Sequence, residues 1–461
     1  MPILFIHGVN TRKSDEDYFR TMAARKKMFE QYVVPVAQKK HPAFRVADDV
    51  YWGDLGVDFR WGFESIPESG LQSLGASDQG APRQNDDLVA LLATSDAKPS
   101  DVQSLGSADS PAVGELAARR PGDLVRAVYS PPALSYEPVV PNPKPDLDAA
   151  AQKKATQEGE ELGLMMIAAE NVARNAEKDA TILDPPPGKT VLDQIQALTA
   201  IELQKVEPAP PPAADIDVQG LGTNIFKRSY DWANKRMGAM VAAAKATATS
   251  LVNTGQRGAS LLALQAKRDD VSRKGLRFLG DVFEYLHRGR AANDSIIVRV
   301  VDAVKSAAFA GEPLVVVTHS FGSEILYDAL TSGRLEDLKI DLWVTAGAQT
   351  SLFGEMALFE KSDKSVKAPK VLGRPGQVTR WINFWDAADI LSYLHAPIFG
   401  KDAVTDYTVR DGANLGNAHG HYFLTVAFYE TIAQELGTLL NPAPIKAPIN
   451  RTAINTAAQK P

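Results

Sequence analysis

The stretch Leu314 to Leu330, LVVVTHSFGSEILYDAL, constrains what this chain can fold into more than any other. Leu314 to Val317 is a short apolar, mostly β-branched run with the pattern of a buried strand. Ile325, Leu326, Ala329 and Leu330 then recur at helical spacing. Only Thr318-His319-Ser320-Phe321-Gly322 is left to turn the chain from one element into the other. A serine at the apex of such a turn stands above the sheet, and the helix behind it aims amide groups and a positive dipole end at the same point. That placement suits a serine nucleophile whose oxyanion is held by backbone N–H groups. The competing assignment is a plain strand and helix with Ser320 as N-cap.

A serine nucleophile needs an imidazole to take its proton and a carboxylate to orient and stabilise that imidazole. Downstream of Ser320 the histidines are His395, His419 and His421, and Asp386 and Asp389 follow an apolar run, Val378 to Trp385. Composition removes several rivals. Cysteine is absent, which excludes disulfides, thiolate metal sites and cysteine nucleophiles. A net charge of −6 offers no basic footprint for nucleic acid. The N-terminus MPILFIHGVN lacks a basic n-region, and no segment approaches the ~20 apolar residues of a membrane span. The expectation is a cytoplasmic protein by default, with signal-independent export left open.

The turn resembles the nucleophile elbow of the α/β-hydrolase superfamily, G-x-S-x-G. Ser320 and Gly322 match it, and Thr318 stands where the first glycine is expected. Small residues relieve crowding in that strained turn, so Thr318 predicts a tighter elbow. In the family, a strand ending in His-Gly supplies a second oxyanion amide; Ile3 to Ile6 followed by His7-Gly8-Val9-Asn10 is similar. The resemblance implies an oxyanion hole made by the N–H of Phe321 and that of Val9 or Asn10, Val9 being preferred, with the His7 imidazole only orienting the loop. The family order of serine, acid, histidine maps the acid onto Asp389 or Asp386 and the base onto His419 or His421. Asp389 is preferred because the family's acid usually lies a few residues past its strand, which leaves Asp386 as a turn former. His419 is preferred because His419-x-x-Tyr422 resembles a pattern before the last helix of bacterial lipase-like members; His421 becomes a helix-start or pocket residue. His319 is expected to point away from Ser320, and His287, His395, Ser323 and Asp54 to be structural.

Along the chain, Asp15 to Lys39 reads as one long helix and Phe44 to Trp52 as a strand. The pattern changes after Gly56. Ser69 to Ala117 has little periodicity, Pro131 to Pro145, Pro185 to Pro187 and Pro208 to Pro212 read as loops or linkers, and Ala149 to Asp179 and Val191 to Val206 as helices. Ile225 to Arg273 reads as one or two alanine-rich helices with a moderately apolar face, either a cap over the elbow or an ordinary packed helix. From Leu276 the αβ pattern resumes: helices over Phe278 to Leu286 and Asp294 to Ala308, strands over Ile340 to Thr345, Val378 to Trp385 and Tyr407 to Arg410, and a last helix over Leu424 to Leu440.

The expected fold is therefore an α/β-hydrolase, a doubly wound, mostly parallel sheet built from residues 1–56 and 275–440. A helical, loop-rich insertion at 57–274 separates the oxyanion-loop half from the nucleophile half, and 441–461 forms a loose tail. The resemblance implies a serine ester hydrolase, lipase- or esterase-like, with Ser320, His419 and Asp389 as its triad and no metal or organic cofactor. The expected partner is a small-molecule or lipid ester, phospholipids included, with no nucleic acid and with peripheral membrane contact through the insertion. A phospholipase-type toxin, an acyltransferase or thioesterase with the same triad, and an inactive hydrolase-fold interaction protein stay open. Thr318 favours the last of these.

Overall fold

Six short strands lie side by side in one sheet, and the four longest of them are largely buried apolar runs. The computed structural model describes residues 2–60, 111–129, 146–206, 275–309 except 292 and 294, 311–409 and 418–441. The strands are β1 (Pro2–Ile6), β2 (Arg45–Val46), β3 (Val315–His319), β4 (Ile340–Ala346), β5 (Val378–Trp385) and β6 (Thr405–Thr408). They are all parallel, in the order β2-β1-β3-β4-β5-β6. Every neighbour is thus reached by a crossover, which requires the intervening chain to run along a face of the sheet.

The period-2 alternation of the central strands feeds two apolar clusters. Ile3, Phe5, Val315, Val317, Leu342 and Val344 meet helix α1 (Glu16–Tyr32) through Met28 and Phe29, and the last helix through Tyr429 and Ile432. Leu4, Ile6, Val316, Trp343 and Trp381 belong to the other cluster, with Ile325, Leu326 and Ala329 of the elbow helix and Ile297, Val300 and Val304 of the helix before β3. Those last three are fully buried, and each contributes roughly 1.5–3 kcal/mol of apolar transfer. The parallel sheet is therefore covered on both faces, as its continuous apolar strands require.

The predicted helix Asp15 to Lys39 is two helices. α1 ends at Tyr32 and α2 covers Val34–Gln38, because Pro35 has no N–H to continue the ladder and its ring crowds the preceding turn. The predicted strand Phe44 to Trp52 shrinks to β2 and an isolated bridge between Val50 and Ile6. Between them the Asp49 carboxylate turns away to form a buried ion pair with Arg25 of α1. Within the segment read as aperiodic, α3 (Pro111–Arg119) is helical, with Val113, Leu116 and Ala117 on its buried side.

α4 (Pro121–Tyr129), α5 (Ala149–Lys178) and α6 (Val191–Val206) join α3 around a third cluster that includes Leu124, Val172 and Ile195. α5 packs along α1, places Met166 and Ile167 in the sheet-facing cluster, and pairs Arg174 with Glu430 of the last helix through two 2.8 Å contacts. Of these four helices, α5 is the one that joins their cluster to α1. Ile225 to Arg273, Pro131 to Pro145, Pro208 to Pro212 and the tail beyond Asn441 lie outside the described residues.

Helix α7, residues 275–284, runs into a π-helical turn at Tyr285–Gly289. It is followed by α8 (Ile296–Ala307), capped by Ser295, and by α9 (Gly322–Thr331) after β3. α10 (Thr350–Glu355) follows β4, and α11 (Val426–Leu440) is the last helix of the described residues. Among the described residues no helix is long and apolar enough to cross a membrane.

Candidate active site

Ser320 has φ +49°, in the left-handed region that non-glycine residues rarely occupy. The surrounding structure holds it there. Its N–H donates to Ala346 O at 2.9 Å, extending the β3–β4 ladder by one residue, and its C=O accepts from Ser323 N at 3.0 Å as α9 begins. Backbone of β1 presses on the turn from the other side. A Cβ on Gly322 would lie 2.6 Å from His7 O and 2.7 Å from Ile6 O, and one on Gly8 would lie 2.7 Å from the Ser320 Cβ. No side chain fits at either position.

Thr318 is accommodated by hydrogen bonds rather than by space. Its hydroxyl lies 2.8 Å from Ser323 Oγ and 3.2 Å from Val344 O, and it accepts from Trp343 Nε1 at 3.0 Å. The side chain is fully buried between β3, β4 and α9, pointing below the turn. The crowding expected at the elbow is absent, and the threonine instead satisfies the indole N–H beneath it.

His419, on the short helical turn Ala418–His421, bridges the serine and an aspartate. Its Nε2 is 2.9 Å from Ser320 Oγ, and its Nδ1 is 3.0 and 3.1 Å from the two oxygens of Asp389. Asp389 is buried and also accepts from Tyr422 Oη at 2.8 Å and from Leu391 N at 2.9 Å. Burial pushes its carboxyl up, but the hydrogen bonds and charge of His419, with those of Tyr422 and Leu391, outweigh it and hold the group below the usual carboxylate range. Gly347, at φ +58°, closes β4 directly against this pair: a Cβ there would sit 2.9 Å from the Tyr422 ring and 3.1 Å from Asp389 Oδ2.

The other named residues have different surroundings. Asp386 Oδ1 accepts from Ala388 N at 2.7 Å, a local turn bond. His421 is buried two residues beyond His419 and lines a neighbouring cavity. His319 packs against the rings of His419 and Phe423, and its Nε2 donates to His419 O at 2.7 Å; burial lowers its pKa to about 3, so the ring is neutral. It anchors the backbone of the histidine that meets Ser320. His7 uses both ring nitrogens, Nδ1 donating to Gly8 O at 2.6 Å and Nε2 accepting from Trp52 N at 3.0 Å, and burial lowers it too to about 3. His395 is buried against Trp381 and Phe399, His287 lies in the π turn, and Asp54 pairs with Arg299.

Two N–H groups face the question of an oxyanion. Phe321 is the N-cap of α9, so its amide belongs to the unpaired donors of a helix start. Asn10 N donates to Asp281 Oδ2 at 2.7 Å and is committed there. Of the two loop amides left open by the sequence, Val9's is therefore the one not taken up by this carboxylate. Asp281 is a residue that sequence reasoning missed. It is fully buried on α7, binds Arg12 at 2.7 and 3.2 Å and Val57 N at 2.8 Å, and so ties the loop after β1 to α7. A charged residue on the inner side of an amphipathic helix was the one available signal.

Among the described residues no group of three or more metal-ligating side chains comes together. A cavity of about 170 Å3 opens between α1, the loop after β1 and residues 419–424, with Phe5, His319 and His419 in its wall. The chain matches no protein-family model, no curated protein and no solved structure.

Proposed function

We propose that this protein is a serine hydrolase of carboxylic esters, of the α/β-hydrolase type. The observation that carries the reading is the unbroken relay from Ser320 Oγ through His419 to Asp389, set on a strand-to-helix turn with the serine at positive φ. In the fold this implies, the sheet is doubly wound, and 57–274 is an insertion between the oxyanion loop and the elbow.

The chemistry follows from the geometry. His419 Nε2 removes the proton as Ser320 Oγ attacks the ester carbonyl. The imidazolium that forms is stabilised by Asp389, whose low pKa keeps it ionised, and Nδ1–H stays directed at the carboxylate. The N–H groups of Phe321 and Val9 receive the developing oxyanion; loss of one such donor typically costs about 10²–10³-fold in kcat. His419 then gives the proton to the departing alcohol. Water repeats the sequence on the acyl-enzyme.

The experiment is turnover of a short-chain carboxylic ester by wild type, Ser320→Ala and His419→Ala. Both variants should fall by roughly 10³-fold or more with unchanged melting behaviour. Wild-type rates in either one contradict the assignment.

A further inference from the structure

One buried amide joins the turn after β4 to the loop that carries Asp389. Gln349, only 4% exposed, is the N-cap residue of α10, yet its side chain makes no cap bond to that helix. Its Nε2 instead donates to Gly347 O at 2.8 Å and to Leu391 O at 2.5 Å. Both partners are carbonyl oxygens, so the amide orientation is fixed: turned over, its own oxygen would face two acceptors. Each of the two amide hydrogens serves one loop.

Both ends of this link touch the proposed relay. Leu391 N donates to Asp389 Oδ1 at 2.9 Å, so the residue gripped through its carbonyl is one that holds the carboxylate. At the other end the Gly347 backbone abuts the pair, since a Cβ there would lie 3.1 Å from Asp389 Oδ2 and 3.3 Å from His419 Cε1. Tyr393 N donates to Ala348 O at 3.3 Å and ties the same two loops a second time. The Gln349 N–H and the Thr350 hydroxyl are both given to the Glu324 carboxyl on α9, the helix behind Ser320. The nucleophile's helix, the turn after β4 and the acid loop are thus one connected frame.

A role in stability alone explains this glutamine poorly. Gln349 Oε1 is buried without a hydrogen-bond partner among the described residues, and an acceptor left in that state is destabilising. Glutamine is also not among the residues favoured at a helix start. What it supplies here is reach, a pair of donors that spans from residue 347 to residue 391.

We infer that Gln349 is a positioning residue for the triad acid, clamping the Asp389 loop against the end of β4 so that the carboxylate stays aligned on His419 Nδ1. The inference rests on the ester-hydrolase reading above. Because Gln349 acts through Asp389, its effect on turnover depends on the Asp389 carboxylate being present.

The test is a double-mutant cycle on the full chain, with turnover of ethyl butyrate as the readout. Gln349→Met keeps the length of the side chain and removes the donors; Gln349→Glu keeps its shape and, when ionised, offers only acceptors to the two carbonyls. Each should lower kcat about 10- to 100-fold with KM within about twofold, since alignment is lost and substrate binding is not. In an Asp389→Asn background the same substitutions should cost less than about twofold more, whereas a merely structural residue would give additive losses. A cooperative melting transition identifies folded variants, and two substitutions guard against one failing to fold. Wild-type kcat in a folded Gln349 variant, or an undiminished loss in the Asp389→Asn background, overturns the inference while wild-type turnover and fluorophosphonate labelling of Ser320 persist. Absence of both turnover and labelling in wild type removes the ester-hydrolase reading itself and the inference with it.

Discussion

The backbone of Gly8 lies against the side chain of Ser320: a methyl group on Gly8 would lie 2.7 Å from the Ser320 Cβ and 3.1 Å from His319 O. The loop that carries the Val9 amide is thereby held in fixed register with the hydroxyl it is proposed to serve. Both walls are anchored, Ser320 by its bond to Ala346 O and the loop by Asp281, so neither can yield easily. Gly8→Ala should lower ester turnover by about 100-fold, the cost of roughly 1 Å of misplacement, with about 1–3 kcal/mol of lost stability from overpacking. Steady-state kinetics alongside chemical denaturation check it. A variant with wild-type kcat contradicts the contact.

Asp389 and Tyr422 should separate cleanly. Asp389→Asn keeps the shape but removes the charge that stabilises the His419 cation, and kcat should fall about 10⁴-fold. Tyr422→Phe removes one of the donors that hold the Asp389 carboxyl low, leaving those of His419 and Leu391. Its effect should be about tenfold or less in kcat, with the Asp389 carboxyl titrating at higher pH than in wild type. Equal losses in the two variants, read from kcat against pH, would refute this division of roles.

Restoring the glycine of the elbow pattern should harm the protein. Thr318→Gly leaves Trp343 Nε1 buried without its acceptor and deprives Ser323 Oγ of a partner at 2.8 Å. Loss of about 1–3 kcal/mol follows from the desolvated donor alone. Urea denaturation measures it, and a neutral or stabilising result contradicts the role given to Thr318.

Glu324 carries a pH signature. It is buried on the first turn of α9, accepts from Thr350 Oγ1 at 3.0 Å, and has no partner on Oε2 among the described residues. Burial pushes its carboxyl up to about 8, against an ordinary value of 4.5. The folded chain thus binds a proton that the unfolded chain has released across that interval. Stability from this group is fully present below pH 4.5 and is lost as pH rises to 8. Glu324→Gln should flatten that decline, measured as unfolding free energy from pH 5 to 9. An unaltered slope contradicts the buried-acid account.

The parts of this architecture legible in the sequence are those in which local pattern and tertiary environment agree. β5 spans Val378–Trp385 as its apolar run predicts, and the β3–turn–α9 unit falls at Val315 to Thr331 because a short β-branched run and a helical period meet with no room between them. Where one residue overrides a period, the reading fails: Pro35 splits a helix, and Asp49 leaves a strand to join Arg25. Ser320, His419 and Asp389 could be ordered along the chain, but it takes the pairing of β3 with β4 and β4 with β5 to bring the loops of Ser320 and Asp389 to one end of the sheet, where His419 meets them from beyond β6. Asp281 was illegible for a simple reason. Its partner Asn10 is 271 residues away, and a buried aspartate on an amphipathic helix gives no hint of whom it will bind.

The account's central claim is that Ser320 is an activated nucleophile, and covalent labelling by a fluorophosphonate, located by peptide mass spectrometry, tests it most directly. The phosphonyl group is predicted on Ser320 of the wild type, absent from Ser320→Ala and strongly slowed in His419→Ala. Folded wild-type protein that takes up no label, or that carries it on a serine other than Ser320, would contradict the account.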